Sequence, residues 1–248
     1  MEVKPIVILP TYNEVENIGL LVPEILKELP CAHLLVVDDN SPDGTGKAVL
    51  EMGEKDGRII LEPGKMKSGY GKACIRGYRY ALKRDYTHIF QMDVDFSHPP
   101  DLLPVLLKRT KEASVVAGSR YAPGGGTIGW GPGRKILSAG SNVFARCMTG
   151  LPYHDITGGF RCFRREVIEA LVPEFGNIKS QGYVFLVDIT VRIHRMGYSM
   201  AEVPFIFVNR VRGSSKMGFK IILEAVKQLF VLRTELNTIV THRRSSKS

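Results

Sequence analysis

The chain has 248 residues, of which 44% are hydrophobic and 24% charged, enough for one large α/β domain that buries its own core. Its formal net charge of +9 predicts anionic partners, and nucleic acid, a phosphorylated substrate and an anionic membrane all stay open. No window approaches the ~18 apolar residues of a transmembrane helix, and the first residues lack the apolar centre of a signal peptide, which argues against a chain that spans a membrane by itself.

The first half of the chain alternates short apolar runs with segments of helical spacing. Strands are predicted at 3–10, 33–40, 58–62, 87–93 and 114–120, and helices at 14–29, 43–54, 71–84 and from Pro100 onward. The runs are rich in Val, Ile and Leu, as strands covered on both faces should be. This alternation predicts an α/β fold with a mostly parallel sheet and helices on both faces.

The second half is less regular. It predicts a Gly-rich loop at 121–133, amphipathic helices near 134–149 and 218–236, a helix at 184–196, strands at 158–165 and 200–208, and a basic flexible tail at 237–248. Because no repeat and no linker divides the chain, residues 1–236 are expected to form a single domain. The two amphipathic faces could pack on the core or rest on a bilayer or on membrane-embedded partner helices.

Cysteine usage gives no sign of a metal or disulfide framework. The four cysteines show no CxxC spacing, and Cys31, Cys74 and Cys147 lie in or beside apolar segments. We therefore expect reduced, structural thiols in or near the core, as in cytosolic proteins.

Polar residues follow the predicted strands at the edge where open α/β sheets bind ligands. They are Tyr12, Asn13, Glu14, Asp38, Asp39, Asp93, Asp95 and Arg120. Five acids that converge on one rim would repel one another unless a cation lies among them, and an all-oxygen set suits Mg²⁺ or Mn²⁺. Taken singly, each acid is better explained as a turn or cap residue, but that explanation weakens when acids end several strands together. His98, beside two prolines, is expected to be an ordinary exposed loop histidine.

Common nucleotide motifs are missing, whereas basic segments suited to phosphate are present. The first strand is followed by PTYNEVEN instead of G-x-G-x-x-G, and Ala follows each Gly–Lys pair where a Walker A loop needs Ser or Thr. Arg134 and Lys135 open a predicted helix, where an anion would explain two cations. The stretch 209–216 is a second basic loop, although both segments could be solvated surface. These basic residues do not alternate with aromatics, which argues against nucleic acid.

Six motifs in this order and spacing resemble family-2 glycosyltransferases of the GT-A, or Rossmann-like, fold. They are ILPTYNEVENI, VVDDNSPDGTG, MDVDFSHPP, GSRY, TGGFRCFRR and GYVFLVDI. Within that family the chain most resembles the catalytic subunits of dolichyl-phosphate mannosyltransferases. The resemblance implies inverting transfer of mannose from GDP-mannose to dolichyl phosphate, giving dolichyl β-D-mannosyl phosphate for N-glycosylation, GPI-anchor synthesis and O- or C-mannosylation. Another polyprenyl-phosphate glycosyltransferase, for example one with a UDP-glucose donor, is the alternative.

The resemblance also implies roles for individual residues. The donor would contact Pro10, Tyr12, Glu14, Asp38, Asp39, Asp93, Asp95, Arg120, Arg212 and Lys216. Mg²⁺ or Mn²⁺ would be held by Asp93 and Asp95, with Ser97 as a weak third ligand, since some relatives carry Gln at that position. Arg134 and Lys135 would meet the acceptor phosphate. The catalytic set would be Asp93, Asp95, Arg120 and Asp188.

The implied chemistry agrees with the residues. A phosphate monoester has a second pKa near ~6, so the nucleophile is largely ionised at neutral pH and no strong base is needed. The site must instead neutralise a diphosphate leaving group and align two anions. The C-terminal residues lack a hydrophobic anchor, so the chain resembles the anchor-free type. That resemblance implies small membrane-embedded partner subunits and a peripheral position on the cytosolic face of the endoplasmic reticulum membrane.

Overall fold

A seven-stranded sheet forms the centre of the computed structural model, which describes residues 2–180, 182–209 and 226–234. The strands are β1 (Pro5–Thr11), β2 (His33–Asp38), β3 (Ile59–Pro63), β4 (His88–Gln91), β5 (Val115–Ser119), β6 (Gly126–Ile128), β7 (Arg161–Arg164), β8 (Met200–Pro204) and β9 (Ile206–Val208). The helices are α1 (Val15–Glu28), α2 (Thr45–Lys55), α3 (Tyr70–Leu82), α4 (Leu103–Arg109), α5 (Pro132–Thr149), α6 (Arg165–Leu171) and α7 (Gly182–Arg195), followed by a helix at 226–234.

The sheet order creates a crevice between two neighbouring strands. The strands run β3-β2-β1-β4-β7-β5-β8, and β6 pairs with β9 in a separate small sheet. Every pairing is parallel except those of β7, which is antiparallel to β4 and β5. Because β2 and β4 lie on opposite sides of β1, the strand order reverses between β1 and β4. Such a reversal leaves a ligand-binding crevice at the carboxyl ends of the strands.

The core has two layers, one on each face of the sheet. Along β1, Ile6 and Ile8 join the layer under α3, α6 and α7, whereas Val7 and Leu9 join the layer under α1 and α4. This alternation follows from the two-residue period of a strand. Helix α3 lies close to β1, since a Cβ on Gly77 would be 2.5 Å from Ile8 Cγ2. The close approach carries the first residue of α3 to the crevice.

Most predicted elements are confirmed, and the differences fall in the second half. The predicted strand at 158–165 is the shorter β7, and it runs antiparallel. The predicted strand at 200–208 is two strands, β8 and β9, because the chain leaves the large sheet at Phe205 and continues beside β6. The predicted loop at 121–133 contains β6. Of the cysteines predicted to lie in or beside core segments, Cys74 is buried, whereas Cys31 and Cys147 are exposed; Cys162 is also buried.

Helix α5 is half packed and half open. Ala145 packs with Leu229 and Leu232 of the 226–234 helix, while Ile136 is 74% exposed and Val143 is 53% exposed. Among the described helices, none is both long and apolar enough to cross a bilayer. The predicted contacts of Arg212 and Lys216, most of the predicted helix at 218–236 and the tail at 237–248 lie outside the described residues.

Candidate active site

Two cavities open along the carboxyl ends of the strands. The smaller one, about 330 Å³, is here called the β1 cavity; its lining includes Pro10, Thr11, Tyr12, Glu14, Asp39, Lys67, Tyr70, Asp93 and Asp95. The larger one, about 540 Å³, is the β5 cavity; its lining includes Tyr70, Asp93, His98, Arg120, Trp130, Arg134, Ser138, Thr157, Gly159, Tyr183, Phe205 and Phe207. Tyr70 and Asp93 line both, so the two chambers meet at these side chains.

The wall of the β1 cavity is held by Asp39. Its carboxylate accepts hydrogen bonds from the backbone N–H groups of Ser68 and Gly69 at 2.7 and 2.8 Å, from the Ser68 hydroxyl at 2.8 Å and from Arg76 Nη1 at 2.9 Å. Burial opposes ionisation of Asp39, but these hydrogen bonds outweigh it and lower its pKa. The loop that leads into α3 is therefore fixed before any ligand binds.

The other residues predicted to contact the sugar-nucleotide donor differ in position: some line the β1 cavity, and others hold neighbouring loops. The Lys67 ammonium lies 3.9 Å from the centre of the Tyr12 ring, and both side chains line the β1 cavity. Glu14 also lines this cavity and accepts a 2.7 Å bond from Asn17 Nδ2. Asp38, by contrast, turns inward to accept bonds from Thr11 Oγ1 and from the backbone N–H of Ser41, and it is not among the lining residues.

The acid pair lies on a strained turn after β4. Phe96 has a φ of 60°, a conformation that costs energy for a bulky side chain and that clusters at functional sites. Asp95 Oδ1 accepts the backbone N–H of Ser97 at 3.1 Å. The Ser97 hydroxyl oxygen is buried and has no hydrogen-bond partner within the described ranges of the chain. A buried polar atom of this kind calls for a ligand or water that completes it.

Of the five acids predicted to converge on one rim, Glu14, Asp39, Asp93 and Asp95 line the β1 cavity, and Asp38 does not. The described residues contain no group of three His, Cys, Asp or Glu side chains that could hold a metal ion alone. Asp38 and Asp39 are instead used by the loops beside them. Asp93, Asp95 and the unpartnered Ser97 hydroxyl still offer an all-oxygen set. That set fits Mg²⁺ or Mn²⁺, since Mg²⁺ is usually bound by one or two carboxylates and completed by substrate phosphates and water.

The prediction that His98 is exposed is wrong, because its side chain is only 3% exposed. The ring stacks on Phe160 with centroids 4.9 Å apart, and Nδ1 accepts the backbone N–H of Asp93 at 2.9 Å. Burial lowers the pKa of His98, so the neutral ring carries its proton on Nε2. The histidine thus fixes the backbone of an acid that borders both cavities.

A glycine brings the backbone against Tyr70 and Asp93 where the cavities meet. A Cβ on Gly159 would lie 2.7 Å from the Tyr70 hydroxyl oxygen and 3.7 Å from Asp93 Oδ1. Gln91 Nε2 donates to the Tyr70 hydroxyl at 3.0 Å. Burial and the nearby Asp93 charge raise the pKa of Tyr70 well above its ordinary value, so the phenol stays protonated.

Arg120 enters the β5 cavity as half of a buried ion pair. Its Nε and Nη2 donate to the two carboxylate oxygens of Asp155 at 2.7 and 2.9 Å, and Nη2 also donates to Thr157 Oγ1 at 2.9 Å. Burial opposes ionisation of Asp155, but Arg120 outweighs it and lowers the pKa of the acid. Glu202 accepts the backbone N–H of Asp155 at 2.8 Å, so β8 supports the pair from behind.

The two predicted acceptor cations are placed differently. Arg134 lines the β5 cavity, where its guanidinium lies 4.3 Å from the centre of the Trp130 ring and Nη1 donates to Asn209 Oδ1 at 2.7 Å. Lys135 is exposed and is not among the lining residues.

Asp188 lies on α7 and is not among the residues that line either cavity. Its carboxylate accepts bonds from Arg192 Nε at 2.6 Å and from Ser180 Oγ at 2.9 Å. Burial raises its pKa in spite of Arg192. The structure brings Asp93, Asp95, Arg120 and Arg134 to the cavities and leaves Asp188 one layer behind them.

Three residues of the site were not predicted from the sequence, and a fourth, His98, was predicted to be exposed. The three are Tyr70, Trp130 and Asp155. Trp130 was detectable, since it is the single tryptophan of the chain and lies in the Gly-rich loop. The roles of Asp155 and Tyr70 depend on contacts with residues 35 and 21 positions away, which no local pattern reveals.

Two curated relatives match nearly the whole chain. An undecaprenyl-phosphate mannosyltransferase of Micrococcus luteus is 41% identical over 219 residues, which cover 88% of this chain and 89% of the relative. A polyprenol monophosphomannose synthase of Mycolicibacterium smegmatis is 40% identical over 225 residues, which cover 90% of this chain and 84% of the relative.

Solved structures share the architecture at lower identity. Glucosyl-3-phosphoglycerate synthase of Mycobacterium tuberculosis, in complex with Mn²⁺, UDP and glucosyl-3-phosphoglycerate, gives a TM-score of 0.65 at 17% identity and covers 92% of this chain and 78% of its own. A mannosyltransferase of Pyrobaculum calidifontis, in complex with GDP-Man and Mn²⁺, gives 0.60 at 19% identity and covers 96% and 65%. The model of the family described as "Glycosyl transferase family 2" matches residues 6–172. The chain belongs to this family and has the GT-A fold.

Proposed function

We propose that the protein transfers mannose from GDP-mannose to the phosphate of a polyprenyl phosphate, dolichyl phosphate in the form we expect, with inversion at the anomeric carbon. The observation that carries the proposal is the meeting of two cavities at Asp93. The β1 cavity lies at the strand-order reversal, where this class of sheet binds nucleotides. The β5 cavity brings Arg120 and Arg134 to the other side of the same acid, as a second anionic substrate requires.

The relatives support the sugar and the acceptor. Both curated relatives are named for mannosyl transfer to a polyprenol or undecaprenyl phosphate, and each matches at least 84% of its own length. The Pyrobaculum calidifontis enzyme was solved with GDP-Man and Mn²⁺, which supports GDP-mannose as donor and a divalent cation as cofactor.

The chain's own residues perform the remaining work. Asp93, Asp95 and Ser97 would hold Mg²⁺ or Mn²⁺, which would neutralise the charge that develops on the departing diphosphate. Arg120 and Arg134 attract the acceptor phosphate, which is already ionised at neutral pH and attacks the anomeric carbon without a base. Tyr70 and His98 stay neutral by burial, which suits a role in holding Asp93 and the adjoining backbone.

We further propose a peripheral position on the cytosolic face of the endoplasmic reticulum membrane, with small membrane-embedded partner subunits. The open face of α5, with Ile136 and Val143, supports contact with apolar surroundings. The product would then supply mannose for N-glycosylation, GPI-anchor synthesis and O- or C-mannosylation. Fluorescent tagging and pull-down of small hydrophobic partners test this part separately from the reaction.

A transfer assay tests the reaction. Purified protein is incubated with Mg²⁺ or Mn²⁺, with GDP-mannose or UDP-glucose as donor, and with dolichyl or undecaprenyl phosphate as acceptor in detergent. We expect a mannolipid from GDP-mannose that disappears with EDTA and whose anomeric linkage is β. Product from UDP-glucose alone would overturn the sugar assignment, and preference for undecaprenyl phosphate would overturn dolichol. If no donor–acceptor pair gives a product, even with the partner subunits added, the proposed transferase activity is rejected.

A further inference from the structure

We propose that the indole N–H of Trp130 is a hydrogen-bond donor to the acceptor's phosphate in the β5 cavity. The inference rests on the proposed function, because it adds a binding residue for the acceptor of that reaction. It concerns a side chain whose buried polar atom has no hydrogen-bond partner in the part of the chain that the structure describes.

The first observation is the unpaired donor itself. Trp130 is 9% exposed, and its Nε1 atom is buried with no hydrogen-bond partner among residues 2–180, 182–209 and 226–234. Buried polar groups are paired in the large majority of cases, and each exception needs an explanation. The indole nitrogen can only donate, so the missing partner must be an acceptor.

The second observation is that charged side chains surround the indole ring. Trp130 lines the β5 cavity with Arg120 and Arg134. The Arg134 guanidinium lies 4.3 Å from the centre of the indole ring. Together, the indole N–H and the two guanidinium groups attract an anion and disfavour a cation. Phosphate oxygens are acceptors only, which matches this set of groups.

The third observation is that the ring is fixed. Its face is covered by Arg134, and its edge packs on Phe207 at a centroid distance of 5.0 Å and an angle of 65°. Phe205 and Phe207 complete the same buried cluster. The indole therefore cannot swing out to water without breaking these contacts, and its N–H is held in place for a ligand.

The position of Trp130 favours the acceptor lipid phosphate, rather than the sugar-nucleotide donor, as the ligand of its N–H. Trp130 lines the β5 cavity and is not among the residues of the β1 cavity, where the strand-order reversal favours the nucleotide. The aromatic residues Phe205 and Phe207 beside it suit the first isoprene unit of a lipid better than a second diphosphate.

The first test uses the fluorescence of this residue, which is the only tryptophan in the chain. Emission is recorded for the full chain while farnesyl phosphate is added without donor, with farnesol, inorganic phosphate and GDP-mannose titrated in parallel. We expect a saturable change with farnesyl phosphate that farnesol does not produce. A change with GDP-mannose but not with farnesyl phosphate would assign the N–H to the donor and overturn the inference.

The second test removes the N–H and keeps an aromatic ring under Arg134. W130F should raise the KM for the acceptor about tenfold, since a hydrogen bond to a charged group contributes on that order, and should leave the KM for the donor and kcat within about twofold. Y198F is the matched control, because it removes one polar atom from an aromatic residue whose hydroxyl donates to the Glu166 carbonyl outside the cavities. An unchanged acceptor KM in W130F would overturn the inference.

The two tests also separate this inference from the proposed function. A farnesyl phosphate response without mannosyl transfer would reject the reaction and keep the phosphate site. Transfer with no fluorescence response and no effect of W130F would keep the reaction and reject the role of Trp130. The fluorescence titration uses the unmodified chain, so the inference is tested even if W130F fails to fold.

Discussion

The two sides of the crevice are built differently. On the β1 side, the Asp39 carboxylate accepts four hydrogen bonds before any ligand arrives. On the β5 side, the Trp130 N–H has no hydrogen-bond partner among the described residues, and Arg134 is only half buried. A nucleotide has a constant shape, so a preformed cavity wall can bind it. A lipid phosphate comes from a membrane, and its binding site gains its last hydrogen bonds only when the lipid binds.

Apolar exposure shows the same contrast. On the β1 side, the exposed large apolar residues of α1 and α2 are single ones, Leu20 and Leu50. On the β5 side, Ile128 and Val208 are register partners across β6 and β9 and are 59% and 46% exposed, and α5 adds its own open residues. Scattered apolar residues are normal on a surface, whereas neighbouring ones point to an interaction.

The largest effect is expected when Asp93, which borders both cavities, loses its charge. Asp93→Asn should lower mannosyl transfer by about 10³-fold or more, because the diphosphate loses a ligand of the cation that neutralises it. The melting temperature should change by only a few degrees, since Asp93 lines cavities on both sides. Transfer rate and thermal unfolding measure the two quantities.

Glu54→Gln is the matched control for this change. It makes the same carboxylate-to-amide replacement at an exposed position of α2, and we expect wild-type transfer. Near-normal turnover by Asp93→Asn would reject the metal site and with it the idea that the two cavities meet at a reaction centre.

The next effect breaks the ion pair that orders the β5 side. Asp155→Asn leaves the Arg120 guanidinium, which is 11% exposed, without its carboxylate. Removing one partner of a buried pair costs about 3 kcal/mol. Urea unfolding should report this loss, and the KM for the acceptor should rise because Arg120 is no longer fixed.

Glu169→Gln serves as the comparison for Asp155→Asn. It breaks the Arg165 pair at a side chain that is 50% exposed, so we expect at most about 0.5 kcal/mol. Equal losses in the two variants would mean that Asp155 does no more for the fold than a surface acid.

The contrast between the two sides also explains what the sequence could predict. The strands and helices from 5 to 119 follow a regular alternation, so periodicity located them and the motifs placed Asp39, Asp93 and Asp95 at strand ends. The β5 side depends on distant pairings. Strand β7 is inserted between β4 and β5, and β9 leaves the main sheet to join β6. No local pattern specifies either step.

The errors at single residues have a common cause. His98 looked exposed because two prolines follow it, yet it is buried by contacts with Phe160 and with the Asp93 backbone. Asp38 and Asp188 are acids beside the site whose partners are protein groups. Residue type and position along a strand place an acid near the edge. Which way its side chain points depends on hydrogen bonds made in three dimensions.

A moderate effect on the β1 side should depend on pH. Asp39→Asn removes a charged acceptor whose hydrogen bonds lower its pKa, and we expect a loss of about 2 kcal/mol in unfolding free energy at pH 7. A depressed pKa gives stability that is complete above the unfolded value of about 3.9 and is lost as the pH falls through the folded value. The difference between wild type and variant should therefore shrink in acid. A difference that is constant from pH 7 to pH 3 would contradict the role of the charge.

The smallest expected effect has the opposite sign and lies behind the β5 cavity. Asp188 has a raised pKa, because burial outweighs the attraction of Arg192. Ionisation of Asp188 then destabilises the folded state. The free energy of unfolding of wild type should therefore fall relative to that of Asp188→Asn as the pH rises above about 4 toward the folded pKa. At pH 7 the two should differ by about 1 kcal/mol or less, because Arg192 keeps Glu174 as a second carboxylate partner in the variant. Transfer should stay within about tenfold, since Asp188 contacts Ser180 and Arg192 rather than a cavity. Urea unfolding across pH 3 to 8, run beside Asp39→Asn, measures both slopes. A fall in transfer of 10³-fold with normal stability would instead return Asp188 to the reacting groups, as the family resemblance implies.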